Sequence, residues 1–478
     1  MKCKKISTYL WLLPVVLALA SCKKSYLEVS PKGKLIAGAV ADYDLLINNL
    51  DLMNISATSQ VLMGDEMAAV DPHFSGADPG TQRRFRWEKD IYEINEDAAE
   101  MQPMKSIYLY NKIITELPAA TGGPEALRTK VMAEAKAMRA WTYFLLINYY
   151  GKPYSAQAAS DPGFPIVTDA RVTDTKYTRA SVQAVYDMIV KDLNDAIPDL
   201  PVKTAHRLRM SRGAAEGLLG KVYVFMGKFS EALPLLTSAL SRMAEAEIPV
   251  KLIDYNAGFA PGGIFLPINL FGPSFPLNTS NEENVFVRQF SNNWSFINSE
   301  MVITDAMADL YAPSDLRLRF FSNMPFPSGA AYPGKMLRRM GPIGVQTGVV
   351  VPELYLLSAE CKARLDDLQG AVTDCEQLRK KRMPVADAPV PPTVAADKIS
   401  LVKFILEERL REFSCMGYRW FDMRRLSVDA SFSNTVGYTH TLFQADGSTK
   451  QYTLRPERMV HRFPQKLMDQ NPGMENNP

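Results

Sequence analysis

Five residues combine the side-chain types that grip a ligand offering both C–H faces and hydroxyl groups: Asp65, Arg84, Trp87, Asn293 and Trp294. Such a ligand needs an aromatic platform beside a few polar groups that fix its orientation. Trp87 ends the basic run Arg83-Arg84-Phe85-Arg86-Trp87. Trp294 ends Asn292-Asn293-Trp294, a few residues beyond Arg288. Trp87 and Trp294 would stack on the ligand, and Arg84, Asp65 and Asn293 would hydrogen-bond it. The competing reading is structural, because tryptophans are on average highly buried and charged groups usually face water. Trp141, inside a long helical pattern, and Trp420, inside a charged C-terminal segment, read as core.

Acid chemistry was weighed against the same pattern of residues. Glu407 and Arg411 are four apart, Glu408 and Arg411 three, and Arg409 and Glu412 three. That spacing supports opposite-charge pairing along a helix face, so these carboxylates read as structural. Asp422, with Arg424 and Arg425, would tie the chain end to neighbouring helices. A glycoside hydrolase needs two carboxylates roughly 5 to 9.5 Å apart. Asp305 and Asp309 are candidates, but their four-residue spacing fits one helix face equally well. No nucleophile elbow or phosphate loop appears. His73, His206, His440 and His461 are far apart and show no metal-ligand spacing. Neither metal nor cofactor is expected.

The chain opens with Lys2, Lys4 and Lys5, an apolar run from Tyr9 to Ala20, and Leu19-Ala20-Ser21-Cys22. The run is shorter than the roughly 20 residues a membrane span needs and suits the core of a secretory signal. A cysteine directly after Leu-Ala-Ser resembles the bacterial lipoprotein signal. There the signal is removed and the cysteine carries lipid, here Cys22. The 478 residues hold 54 Lys+Arg against 52 Asp+Glu. Three of those lysines lie in residues 1–21, so the body is nearly neutral and carries no electrostatic footprint for nucleic acid. Cys361, Cys375 and Cys415 are an odd set. A Cys361–Cys375 bridge is one option and buried thiols are the other.

The elements that must position these residues are mostly helical. Helical patterns run from Ala37 to about Leu52, from Ile107 to Leu117, and from Pro124, in a first turn, to Tyr150 before Gly151. Ser181 is placed to cap a helix whose Val182, Val185, Tyr186, Ile189, Val190 and Leu193 share one face. Arg212–Met226 with Ser230–Met243, and Pro352–Leu365 with Gly370–Arg382, read as helix pairs. Ala214, Ala215, Gly217 and Gly220, and Ala359 and Ala363, would let helices approach closely. The run from Gly227 to Ala232 resembles the turn of a tetratricopeptide repeat. Between about 244 and 350, Gly, Pro, Asn and aromatic residues replace the helical pattern. A few short strands and a helix near Thr304 to Tyr311 are expected there. So long an irregular stretch is usually functional or disordered, and its aromatic content argues against disorder.

Ala133-Glu134-Ala135-Lys136-Ala137-Met138-Arg139-Ala140, with Tyr143-Phe144-Leu145-Leu146 and Tyr150-Gly151, resembles the long helix of the SusD/RagB family. Leu356-Leu357-Ser358-Ala359-Glu360 is similar to the helix before that family's last repeat. Glu407-Glu408-Arg409, Glu412, Gly417, Arg419-Trp420, Asp422 and Arg424-Arg425 resemble its C-terminal signature, and Gln470-Asn471-Pro472-Gly473 its chain end. Asp65-Glu66 after Gly64 resembles the motif before its first ligand loop. Met416 stands where the family often has an acidic residue.

The resemblance implies a mostly α fold, a scaffold of tetratricopeptide-like helix pairs with a loop-rich ligand-binding insertion. It divides the chain into a lipoprotein signal peptide (1–21), a lipidated tether (22–36) and a SusD-like body (37–478) with the insertion at about 244–350. It further implies an outer-membrane, lipid-anchored, surface-facing protein. Such a protein captures a glycan, or in some members a peptide, for a SusC-like TonB-dependent transporter. A protein-binding repeat scaffold is a third reading, compatible with the first. Lys23-Lys24 follow Cys22, where surface-exported relatives are often acidic.

Overall fold

The computed structural model describes residues 37–55, 58–170, 176–203, 206–291 and 299–478. Among the described residues, ten helices of eight residues or more carry the scaffold: α1 (Val40–Ile47), α2 (Met104–Glu116), α3 (Glu125–Tyr150), α4 (Val182–Ala196), α5 (Arg212–Phe225), α6 (Phe229–Arg242), α7 (Val351–Arg364), α8 (Leu368–Arg379), α9 (Lys398–Phe413) and α10 (Tyr418–Ser427). The punctuation follows from local chemistry. The Ser181 side chain accepts from the Ala184 N–H and starts α4, and the Ser211 side chain accepts from the Ala214 N–H and starts α5. The pattern from Ala37 breaks after Ile47 and resumes as a short 3-10 turn at Leu50–Met53, capped by Asn49. Pro124 is not in the first turn of α3. It is the extended residue before it.

The helices pack in antiparallel-style pairs: α2 on α3, α3 on α4, α5 on α6, and α7 on α8. Helix α7 also packs on α6 and α9. Close approach needs the small residues. A Cβ at Gly220 would sit 2.7 Å from Leu236 of α6, and one at Gly217 would sit 2.7 Å from Leu354 of α7. Cys361, Cys375 and Cys415 are free and buried, the thiol alternative rather than the bridge.

Ten short strands complete the order among the described residues: β1 (Met67–Val70), β2 (Asn284–Phe286), β3 (Gln289–Ser291), β4 (Met301–Ile303), β5 (Phe321–Ser322), β6 (Arg338–Arg339), β7 (Gly344–Gln346), β8 (Val349–Val350), β9 (Thr439–Phe443) and β10 (Thr449–Thr453). Four form one sheet, in the order β10-β9-β1-β4. Strand β1 runs antiparallel to β4, with Met67 opposite Ile303. It runs parallel to β9, with Ala69 opposite Leu442. The sheet therefore joins the N-terminal part, the irregular stretch and the chain end. Every residue of β1 is buried. Met67 and Ala69 face the main core, and Ala68 and Val70 lie under Tyr332 and Met336.

Glu408, Arg409, Arg411 and Glu412 of α9 are buried and paired. Glu408 contacts Arg317 at 2.7 Å, Arg379 at 2.7 Å and Arg411 at 2.8 Å. Glu412 contacts Arg317 at 3.0 Å and Arg382 at 2.8 Å, and Arg382 reaches Glu283 at 2.7 Å. The expected Glu408–Arg411 pair forms. Arg409 does not pair with Glu412; it turns to Asp422 at 2.9 Å and Glu353 at 3.2 Å. Asp422 also holds Arg425, which pairs with Glu360. Arg424 departs from the acidic pairing and donates instead to the carbonyls of Met459 and Gly151. Burial pushes the Glu408 carboxyl up, but Arg317, Arg411 and Arg379 outweigh it and hold it well below the usual range. Asp422 is held down in the same way by Arg409 and Arg425.

Breaking a buried ion pair by removing one charge leaves its partners uncompensated, a loss of about 3 to 5 kcal/mol. Glu408→Gln is therefore expected to lower the melting temperature by several degrees while the folded fraction binds ligand normally. An unchanged melting temperature with lost binding would contradict the structural role. Both carboxyls have folded-state values below their unfolded values of about 4. The stability they contribute is present above that pH and is lost as pH falls through the folded values. The gap in melting temperature between wild type and Glu408→Gln should therefore be steady from pH 7 to 5 and shrink below pH 4.

Candidate functional site

The sheet presents one end to a cluster of loops. At the C-terminal end of β1 the chain passes through Asp71 and Pro72 to His73. The Asp71 N–H donates to the Phe443 carbonyl at 2.9 Å, and its carboxylate accepts from the Ser75 N–H and hydroxyl at 3.0 and 2.6 Å. On the neighbouring strand, residues 299 and 300 lead into β4, and the Val70 N–H donates to the Glu300 carbonyl at 3.2 Å. Ser299 anchors the next loop: its hydroxyl accepts from the Phe326 N–H at 2.8 Å, and its carbonyl accepts from the Tyr332 hydroxyl at 2.9 Å. The Tyr332 ring meets His73 edge-on at 6.4 Å.

An aromatic pair crowns this frame. Phe271 stacks on Phe326, with centroids 5.4 Å apart and planes 30° apart. Phe271 is 45% exposed; Ile268 and Leu270 just before it, and Met324 just before Phe326, are exposed too. Beneath, the Arg338 guanidinium lies 5.8 Å from the Phe326 centroid and donates to the Met324 carbonyl at 2.7 Å. Half-exposed Asp71 and His73 share this end of the sheet with exposed Asn323. The arrangement offers a stacking surface over a fixed loop, with hydrogen-bonding groups nearby. Among the described residues no cluster of three or more His, Cys, Asp or Glu could hold a metal ion.

The residues expected from sequence lie elsewhere or outside the described chain. Trp87 is corrected to a core role. It is 3% exposed, its indole N–H donates to the Met63 carbonyl at 3.1 Å, and its ring lies 3.6 Å from the His440 ring. Both His440 ring nitrogens face carbonyl oxygens, of Phe85 and Gly64, at 2.7 Å. Burial nevertheless lowers its pKa to about 4. Arg84 is likewise corrected: it is buried beside Glu100 at 3.5 Å and Glu96 at 3.8 Å, over the Tyr92 ring. Asp65 sits at the opposite end of β1, where Arg419 grips its two oxygens at 2.6 Å each and the Gly437 N–H donates at 2.6 Å. Asn293 and Trp294 lie outside the described residues.

Asp305 and Asp309, the carboxylates weighed for hydrolysis, are exposed and both engage Lys335, through its N–H and its ammonium respectively. They hold a loop to a short helix. Trp141 and Trp420 are buried as expected. Phe271 and Phe326 escaped the sequence reading. The available signal was an aromatic set among Gly and Pro in a non-helical stretch, where no helix face exists to bury it.

Residues 25–224 match a family model described as starch-binding, associating with outer membrane, and residues 352–478 match the SusD family model. The chain belongs to the SusD/RagB family. A SusD-like protein of Bacteroides ovatus is 29% identical over 121 residues, which is 25% of this chain and only 20% of that protein. The fold agrees with solved members. A SusD superfamily protein of Bacteroides vulgatus superposes with TM-score 0.68 at 20% identity, covering 92% of this chain and 99% of the other. A putative sugar binding protein of the same species gives 0.65 at 19%, covering 93% and 99%. Residues 225–351, which carry Phe271, Phe326 and Tyr332, lie between the two family matches.

Phe271→Ala removes an exposed ring, so stability should change by no more than about 0.5 kcal/mol while ligand affinity drops. Trp87→Ala empties a core site and should destabilise by about 3 to 5 kcal/mol. Thermal melts alongside binding isotherms separate the two. Equal binding in wild type and Phe271→Ala would remove the aromatic pair from the site.

Proposed function

We propose that this SusD family protein is a surface lipoprotein that captures a glycan on its loop-rich face and passes it to a SusC-like TonB-dependent transporter. The observation that carries the reading is the solvent-open Phe271 ring stacked on Phe326. Aromatic faces suit the C–H faces of sugars, and polar groups at the rim fix orientation. Family membership supports the same reading, since the matching model is described as starch-binding and a structural neighbour is named as sugar binding. Residues 1–21 serve as the signal, Cys22 bears the lipid, and residues 22–36 tether the body. Asn293 and Trp294 keep the roles their residue types suggest, hydrogen bonding to the ligand and stacking on it. No helix among the described residues is long and apolar enough to cross a membrane; the lipid on Cys22 is the proposed anchor. More than one acyl chain makes such an anchor stable.

Capture rather than hydrolysis is the reading, because the exposed Asp305 and Asp309 are tied to Lys335. Calorimetric titration against a panel of glycans and short peptides tests it. Saturable binding of a glycan that is recovered intact is the expected result. Binding of peptides alone would replace the ligand class, and shortened glycan products would favour an enzyme. In cells, Cys22→Ala is expected to move the protein from the membrane to the soluble fraction. External protease should digest the wild type on intact cells; resistance until lysis would place it on the inner face. Co-purification with a large outer-membrane barrel checks the transporter.

A further inference from the structure

At the far end of β1, away from the loop face, lies a cavity of about 330 Å3. Helices α9 and α10, the short helix Asp305–Ala308 and the segment at Asn434 and Thr435 surround it. Its walls are apolar, from Met307, Leu310, Leu406 and Leu410, and its mouth carries Lys403 and Glu407. The volume falls in the range of small-molecule sites, roughly 300 to 1,000 Å3.

One wall residue is chemically unfinished. Glu66 is 3% exposed, and neither of its carboxylate oxygens has a side-chain hydrogen-bond partner; only the backbone N–H groups of Glu66 and Cys415 face it. Its carboxylate folds back over Gly64, where a Cβ would sit 2.0 Å from Oε2, so only glycine leaves it room. The charged groups around it are committed. Asp65 and Arg419 hold each other bidentately, and His440 takes the Gly64 carbonyl. The Cys415 thiol, pushed up to about 12 by burial, is neutral. A buried carboxyl without a side-chain partner is unfavourable, and a ligand that supplies donors and positive charge would relieve it.

We propose that this cavity binds a small organic cation, an alkylguanidinium or alkylammonium, with its head on Glu66 and its stem along Met307, Leu310, Leu406 and Leu410. The site is separate from the glycan face. Burial, reinforced by the Asp65 charge, raises the Glu66 pKa to about 8, so the carboxyl holds its proton at neutral pH. The cation favours the ionised form, and that proton leaves to the buffer on binding. Affinity therefore rises with pH up to about 8 and then levels off.

The test is calorimetric titration of the full chain with n-butylguanidinium, whose head stays charged across the range, at pH 6, 7, 8 and 9. Each pH is run in two buffers of different ionisation heat. The expected result is one saturable site, about tenfold tighter at pH 7 than at pH 6, with close to one proton released per ligand at pH 6 and 7. Neutral n-butylurea should not bind. Glu66→Gln keeps the shape, so a wild-type-like melt at pH 6 verifies its fold; it should abolish proton release and weaken binding at least tenfold. Ala306→Trp, at the exposed rim, should block the site with Glu66 intact. No saturable heat in the wild type, no proton release, or undiminished binding in Glu66→Gln would overturn the proposal.

Discussion

Two carboxylates on one helix face organise this molecule. Glu408 and Glu412 of α9 are buried, and four arginines from three parts of the chain converge on them. Arg379 and Arg382 come from α8 and its end, Arg411 from α9 itself, and Arg317 from the irregular stretch. Arg317 also closes on Asp315 at 2.7 Å, and Arg382 reaches back to Glu283 and to the Ile253 carbonyl. A segment of about a hundred residues with little regular structure of its own is thereby clamped to the helical scaffold near its start and its middle. Desolvated charges tolerate no loose geometry, because each must keep its partners in a low-dielectric interior. Such a network specifies position more than it adds net stability.

The clamp explains how an irregular insertion presents a defined surface. Behind it stand α7 and α9. In front, β4 is zipped to β1, and β1 to β9 of the chain end. Ser299 and Arg338 then hold the loop that carries Phe326 by hydrogen bonds to its backbone. The ring of Phe271, stacked on Phe326 and 45% exposed, sits above a loop that is tied down. The two family matches cover the scaffold except α6 and stop on either side of this insertion. Ligand chemistry can vary there without disturbing the helix pairs.

Some of this was legible in the residues. Local rules decided the helices: Ser181 caps α4, Gly151 follows α3, and Gly217 and Gly220 sit where helices touch. Glu408 with Arg411 was readable because three-residue spacing on one helix is a local relation. Arg409 with Glu412 obeyed the same rule and did not form, because Asp422 and Glu353 approach Arg409 from other helices. The hairpin β9–β10 went unread although Asp446-Gly447 marks its turn. Its value lay in joining β1, a partner some 370 residues away. Trp87 and Arg84 looked like ligand groups because residue type does not encode exposure.

The sequence by itself determined the family, the helical scaffold and its turns, and the expectation of a lipid at Cys22. These rest on spacing, capping and motif order, which operate over a few residues. Tertiary structure alone decided which aromatics are open, Phe271 rather than Trp87, and which carboxylates are spent, Asp65 on Arg419 and Glu408 on three arginines. It also decided which one is left without a side-chain partner, Glu66. Exposure and pairing depend on what arrives from distant parts of the chain, and no local pattern records that arrival.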